Sequence, residues 1–183
     1  MKLVGQQKSA TPYEYGAVML RLKHPQTDHI RRSIDIEDIF HGEGLTKSYV
    51  GVPSQEYGIP DDIHCTLLYG LHDVPVKHVL TALQGIKFGS LRVKNPSTFQ
   101  QKGYEVLKWD VDGESALRAN SSLVRLPHTN EYPEYHPHVT IAYLKPGKSS
   151  KYVSQIGDIK NKFADSIEIV YSSQSGDQYI IEI

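Results

Sequence analysis

The chain has 183 residues with 39 % hydrophobic and 22 % charged side chains, enough for one soluble domain with its own core. Its formal net charge of −1 excludes the basic surface that wraps a long nucleic acid. Its single cysteine, Cys65, excludes an internal disulfide framework and a cysteine-based zinc site, and no apolar run approaches the roughly 18 residues of a membrane helix.

The opening MKLVGQQKS lacks the apolar stretch of a signal peptide, so a cytoplasmic location is expected. Tyr15–Leu22 then reads as a strand, and Thr27–Ile39 as a weakly patterned helix. Gly42–Asp62 holds four glycines and two prolines and reads as a long loop. A strand over Ile63–Leu71 and a helix over Val76–Ile86 follow. The second part repeats that order, with strands over Phe88–Lys94 and Tyr104–Val111, a helix over Glu114–Leu126 and a strand over Val139–Leu144. A short helix near Lys151–Ile156 and strands over Ile167–Tyr171 and Gln178–Ile183 complete the chain. The expected fold is α+β: one domain over 1–183 with two lobes, 14–86 and 87–183, and a long loop at 42–62.

Each lobe carries one copy of His–x–Thr–apolar, as His64-Cys65-Thr66-Leu67 and His138-Val139-Thr140-Ile141. On a strand, alternation sends the histidine and threonine to one face and the apolar pair to the other. Two such copies in equivalent strands arise by chance at around the 1 % level. If the two strands pack together, two imidazoles and two hydroxyls converge. A neutral imidazole can take a proton while an imidazolium gives one, and both forms coexist near neutral pH. Hydroxyls can donate to the non-bridging oxygens of a phosphodiester as charge builds there. His64 and His138 are therefore the expected acid–base pair, with Thr66 and Thr140 holding the phosphate and no metal or cofactor required. A zinc pair at His136 and His138 is the competing reading of that stretch, and it lacks a third ligand. Among the aromatics, Tyr13, Tyr15, Trp109, Tyr135 and Tyr179 are candidates to stack on bases. For Trp109 the alternative is a core ring, and for Tyr135 a brace of the adjoining loop.

The two motifs resemble those of the two-histidine (2H) phosphoesterase superfamily, whose LigT-like fold sets two α+β lobes about a central cleft. That resemblance implies acid and base roles for His64 and His138, with the threonines on the phosphate. The phrases YEYGAVML, IHCTLLYGLH and HPHVTIAYLKPG are similar to phage anti-CBASS phosphodiesterases. This narrower likeness implies a cyclic di- or trinucleotide substrate such as 3′,3′-cGAMP, and the host cytoplasm as location. A 2′,3′-cyclic phosphodiesterase, a 2′–5′ RNA phosphodiesterase and a non-catalytic nucleotide-binding module are the alternatives. The expected partner is a small nucleotide rather than long nucleic acid or membrane, and the oligomeric state is left open.

Overall fold

The computed structural model describes residues 1–8, 12–23, 30, 32–42, 57–60, 63–88, 91–129, 134–156, 162–163 and 166–182. Within them run strands β1 (Lys2–Lys8), β2 (Gly16–Lys23), β3 (His64–Leu71), β4 (Arg92–Gln101), β5 (Tyr104–Asp112), β6 (His138–Leu144), β7 (Lys162–Phe163), β8 (Ser166–Ser172) and β9 (Asp177–Glu182). Three helices join them: α1 (Val76–Leu83), α2 (Glu114–Leu123) and α3 (Ser149–Ile156). The strands form one nine-stranded sheet in the order β1-β9-β8-β2-β3-β6-β5-β4-β7. Every neighbouring pair is antiparallel. This is the α+β arrangement expected from the sequence.

Alternation explains which face of the sheet is covered. In β3, Cys65 and Leu67 are fully buried while His64 and Thr66 are half-exposed. In β5, Leu107, Trp109 and Val111 are buried on the same side. The helices close over that side with short apolar stripes: Val79 and Leu83 from α1, Ala116, Ala119 and Leu123 from α2, and Tyr152 from α3. Each large side chain fully removed from water there contributes about 1.5–3 kcal/mol. Glu105 also lies on that side. Its carboxylate accepts from the N–H of Gly147 at 2.9 Å and of Ser149 at 2.8 Å, satisfying donors at the start of α3. Burial pushes the Glu105 carboxyl up, but these bonds more than reverse it and hold it at about 2.

Several elements differ from the sequence expectation, and others lie outside the described residues. The strand expected over Phe88–Lys94 is β4, displaced toward the C-terminus. Phe88 is instead a buried anchor ahead of it, and the ladder continues through Pro96 by a bulge between Lys94 and Pro96. The part of the Thr27–Ile39 helix at 27–29 and 31 lies outside the described residues, and Ile36–Asp38 forms a 3-10 turn. Most of the 42–62 loop, residues 43–56 and 61–62, also lies outside them. β1 and β7, both at sheet edges, carry no alternating signal and were not expected. Of the final strands, β8 lies beside β2 and β9 between β8 and β1, so that side of the sheet draws on both ends of the described chain.

Candidate active site

The two motif strands are neighbours at the middle of the sheet, where Cys65 pairs with Val139. Antiparallel pairing one residue to either side sets His64 across from Thr140 and Thr66 across from His138. All four side chains therefore occupy the face away from the helices, with fully buried Cys65 and Val139 pointing beneath them. Burial pushes the Cys65 thiol up to about 11, so it is an anchor and not a nucleophile.

The flanking strands repeat the arrangement about a local two-fold. Arg21 of β2 pairs with His64 and Met19 with Thr66, whereas Asp110 of β5 pairs with His138 and Lys108 with Thr140. Just before each histidine a carbonyl accepts a backbone N–H: Leu22 to Ile63 at 2.8 Å, and Val111 to Pro137 at 2.9 Å. Just after each threonine the ladder slips by one residue, leaving Leu67 extra in β3 and Ile141 extra in β6. Asn120 of α2 donates to the Leu67 carbonyl at 2.7 Å, which satisfies a group at the first bulge.

Chemistry differs between the halves. Lys108 is only 6 % exposed, and its ammonium donates to Asp110 Oδ1 at 2.5 Å and Ser97 Oγ at 2.9 Å. It also lies 4.5 Å from the centroid of the Phe99 ring, which in turn meets the His138 ring edge-to-face at 5.0 Å. His138 Nδ1 lies 2.7 Å from the His136 carbonyl. A carbonyl only accepts, so Nδ1 carries the proton and the neutral ring keeps its lone pair on Nε2. Burial lowers the His138 pKa, the Lys108 and His64 cations lower it further, and the His136 bond and Asp110 oppose them. On the other side, Arg21 meets Glu168 at 3.6 Å.

The aromatic candidates separate. Trp109 is 1 % exposed and pairs with Val139 on the helix side, so the stacking reading is corrected to a core ring. Tyr179 is likewise corrected: it pairs with Tyr171 and stacks on that ring at 5.7 Å, on the side where the Tyr171 hydroxyl donates to the Val74 carbonyl. Tyr135 is a brace, its hydroxyl donating to the Thr66 carbonyl at 2.9 Å and lying 3.7 Å from Cys65 Sγ. Tyr13 and Tyr15 stand before β2, at the end away from Arg21 and His64. Tyr15 packs edge-to-face with Tyr69 at 5.9 Å and stacks with His72 at 5.8 Å. Sequence reasoning missed Lys108, Asp110 and Arg21. Strand parity within YEVLKWDV was the signal available, since Trp109 shares its face with Leu107 and Val111 while Lys108 and Asp110 share the other.

His136 stands 3.3 Å from Glu134 at the surface. Among the described residues, no group of three or more histidine, cysteine, aspartate or glutamate side chains could hold a metal ion, and no helix is long and apolar enough to cross a membrane.

No protein-family model matches the chain, and no curated protein matches it. Among solved structures it is similar to Usb1 of Kluyveromyces marxianus, with a TM-score of 0.53 at 8 % identity, over 93 % of this chain and 99 % of that one. The two share an α+β architecture, the fold class expected from the sequence.

Proposed function

We propose that the chain is a metal-independent phosphodiesterase that cleaves 3′–5′ linkages of cyclic di- or trinucleotide signals, and so counteracts CBASS defence. The observation that carries the activity is the cross-strand set His64, Thr140, Thr66 and His138 on one face of the β3–β6 seam. The phrases around the two motifs support the substrate class.

His138 is the general base. Its Nδ1 proton is committed to the His136 carbonyl, and burial beside Lys108 favours the neutral ring, so Nε2 is available to accept a proton. His64 is then the acid. Nε2 of His138 removes the proton of a ribose 2′-OH, and the 2′ oxygen attacks the adjacent phosphorus. The bond to the 5′ oxygen breaks as His64 protonates it, leaving a 2′,3′-cyclic phosphate. Water opens that ring with the two roles reversed. The Thr66 and Thr140 hydroxyls donate to the non-bridging oxygens, and the Lys108 cation stands behind Thr140 where the negative charge grows.

The test is hydrolysis in EDTA of cyclic di- and trinucleotides, 2′,3′-cyclic mononucleotides, and short 2′–5′ and 3′–5′ oligoadenylates. The His64→Ala/His138→Ala double variant serves as control. Chelator-resistant loss of a cyclic oligonucleotide is expected. Turnover of only the mononucleotides or the 2′–5′ oligomers would move the protein to RNA processing. Absence of any turnover would leave a nucleotide-binding module.

A further inference from the structure

The repeat is longer than His–x–Thr–apolar. Aligned on the histidines, His64-Cys65-Thr66-Leu67-Leu68-Tyr69 matches His138-Val139-Thr140-Ile141-Ala142-Tyr143, so each copy ends in a tyrosine three residues beyond its threonine. In a regular strand an odd offset sends that tyrosine to the opposite face, into the helix-covered core. The bulges cancel the offset. In β3, Thr66 pairs with Met19 and Leu68 with Val18, so that Tyr69 pairs with Ala17 on the Met19 face. In β6, Thr140 pairs with Lys108 and Ala142 with Leu107, so that Tyr143 pairs with Val106 on the Lys108 face. Each tyrosine is thereby returned to the face of its own histidine and threonine.

We infer that Tyr69 and Tyr143 are two base-stacking sites, one in each half, which take the nucleobases on either side of the phosphodiester held between the histidines. The inference rests on the activity proposed above and narrows its substrate to one flanked by bases on both sides. β3 and β6 are antiparallel, so the tyrosines depart from the seam in opposite directions. Each is about 10 Å along its strand from its threonine, a length that a ribose and its base cover together. Both belong to aromatic groups that hold the ring in place. Tyr69, 52 % exposed, meets Tyr15 edge-to-face, while Tyr143 lies 5.4 Å from Tyr57 and 5.9 Å from Tyr104. The competing account makes each group a small surface core. A core ring needs no bulge, because an unbroken strand would have delivered it to the core face. Two interruptions of the ladder at the same motif position aim both rings at the site instead.

Base–aromatic stacking is sequence-tolerant, and its measured strength corresponds to roughly 5- to 150-fold in affinity per base. The experiment uses a 3′,3′-cyclic dinucleotide with a single ribose 2′-OH, so that one linkage alone is cleavable, and two derivatives that each lack one base. Binding is measured to the full chain carrying His64→Ala/His138→Ala, with and without Tyr69→Ala, Tyr143→Ala or the corresponding phenylalanine changes. Turnover is measured with the histidines intact. Each alanine change is expected to weaken binding about 10- to 100-fold, and to have no effect on the derivative that lacks its own base. The two variants should be silent on different derivatives, and phenylalanine should restore binding in both. Equal losses on all three ligands, or no loss on any, would overturn the inference, and ligands that do not bind at all would overturn it together with the proposed activity. Base-dependent binding without turnover by the histidine-intact chain would sink the proposed activity alone.

Discussion

The two halves of the sheet share one backbone plan and differ in charge. Around His64 stand Met19 and Arg21, and at the matching places around His138 stand Lys108 and Asp110. The backbone bonds, the bulges and the closing tyrosines are duplicated, but the Lys108–Asp110–Ser97 network is not. Acid–base catalysis needs two imidazoles in different protonation states. A two-fold scaffold would give both the same environment, and the difference at Lys108 removes that equivalence. In the proposed activity the backbone thus converges the groups, while the flanking side chains assign them.

The largest way to break this arrangement is to remove either imidazole. His64→Ala and His138→Ala are each expected to lower turnover about 10²–10⁴-fold while melting temperature changes little. Steady-state rates in EDTA check this, and an activity drop under tenfold would contradict the shared role. Next comes Gly70, which adopts φ +98°, and whose added Cβ would fall 1.9 Å from the Thr129 carbonyl oxygen. That segment lies against the end of β3 through the Leu71–His128 bridge and the Thr129 N–H to Gly70 carbonyl bond of 2.9 Å. Gly70→Ala should destabilise the protein by about 2–4 kcal/mol, read by denaturant unfolding.

Lys108→Met sharpens the comparison directly, since it gives the second half the residue of the first. Without that cation the His138 pKa rises, so the acid limb of the kcat/KM profile should move to higher pH. In the unaltered chain that limb should lie below the ordinary histidine value of about 6.5. A profile unmoved by the substitution would remove Lys108 from the assignment of roles. The smallest effect is expected at Glu105→Gln, about 1 kcal/mol from weaker satisfaction of the α3 donors. The Glu105 carboxyl is depressed to about 2 in the fold. Its contribution is therefore complete above the ordinary glutamate value near 4.3 and lost as pH falls toward about 2. Urea melts at pH 7 and pH 3 should show the variant and parent converging at the lower pH.

The motif pairs were legible because histidine and threonine at period two stand out against buried Cys65, Leu67, Val139 and Ile141. The tyrosines that close each copy were not read as part of it, since an offset of three predicts the wrong face unless a one-residue slip is known. Nothing in Leu67 or Ile141 as residue types announces such a slip. β4 was misplaced for a related reason: Asn95 at φ +48° and Pro96 look like a break, yet the ladder with β5 resumes beyond them. Trp109 drew attention as the single tryptophan, although its parity with Leu107 and Val111 already marked it as core. β1, with Gly5 and a string of polar residues, has no hydrophobic pattern to read and gains its place only through β9.

The position of β8 and β9 sets an order of events during synthesis. β2 gains its outer neighbour from Ser166–Ser172, and β1 pairs with Asp177–Glu182. A ribosome has therefore delivered nearly every described residue before the half holding His64 can close, whereas β4, β5 and β6 are adjacent both in sequence and in the sheet and can assemble earlier. The half holding His138 can thus assemble before the half holding His64, and a chain interrupted ahead of residue 166 keeps both histidines but lacks the outer strands beside the first.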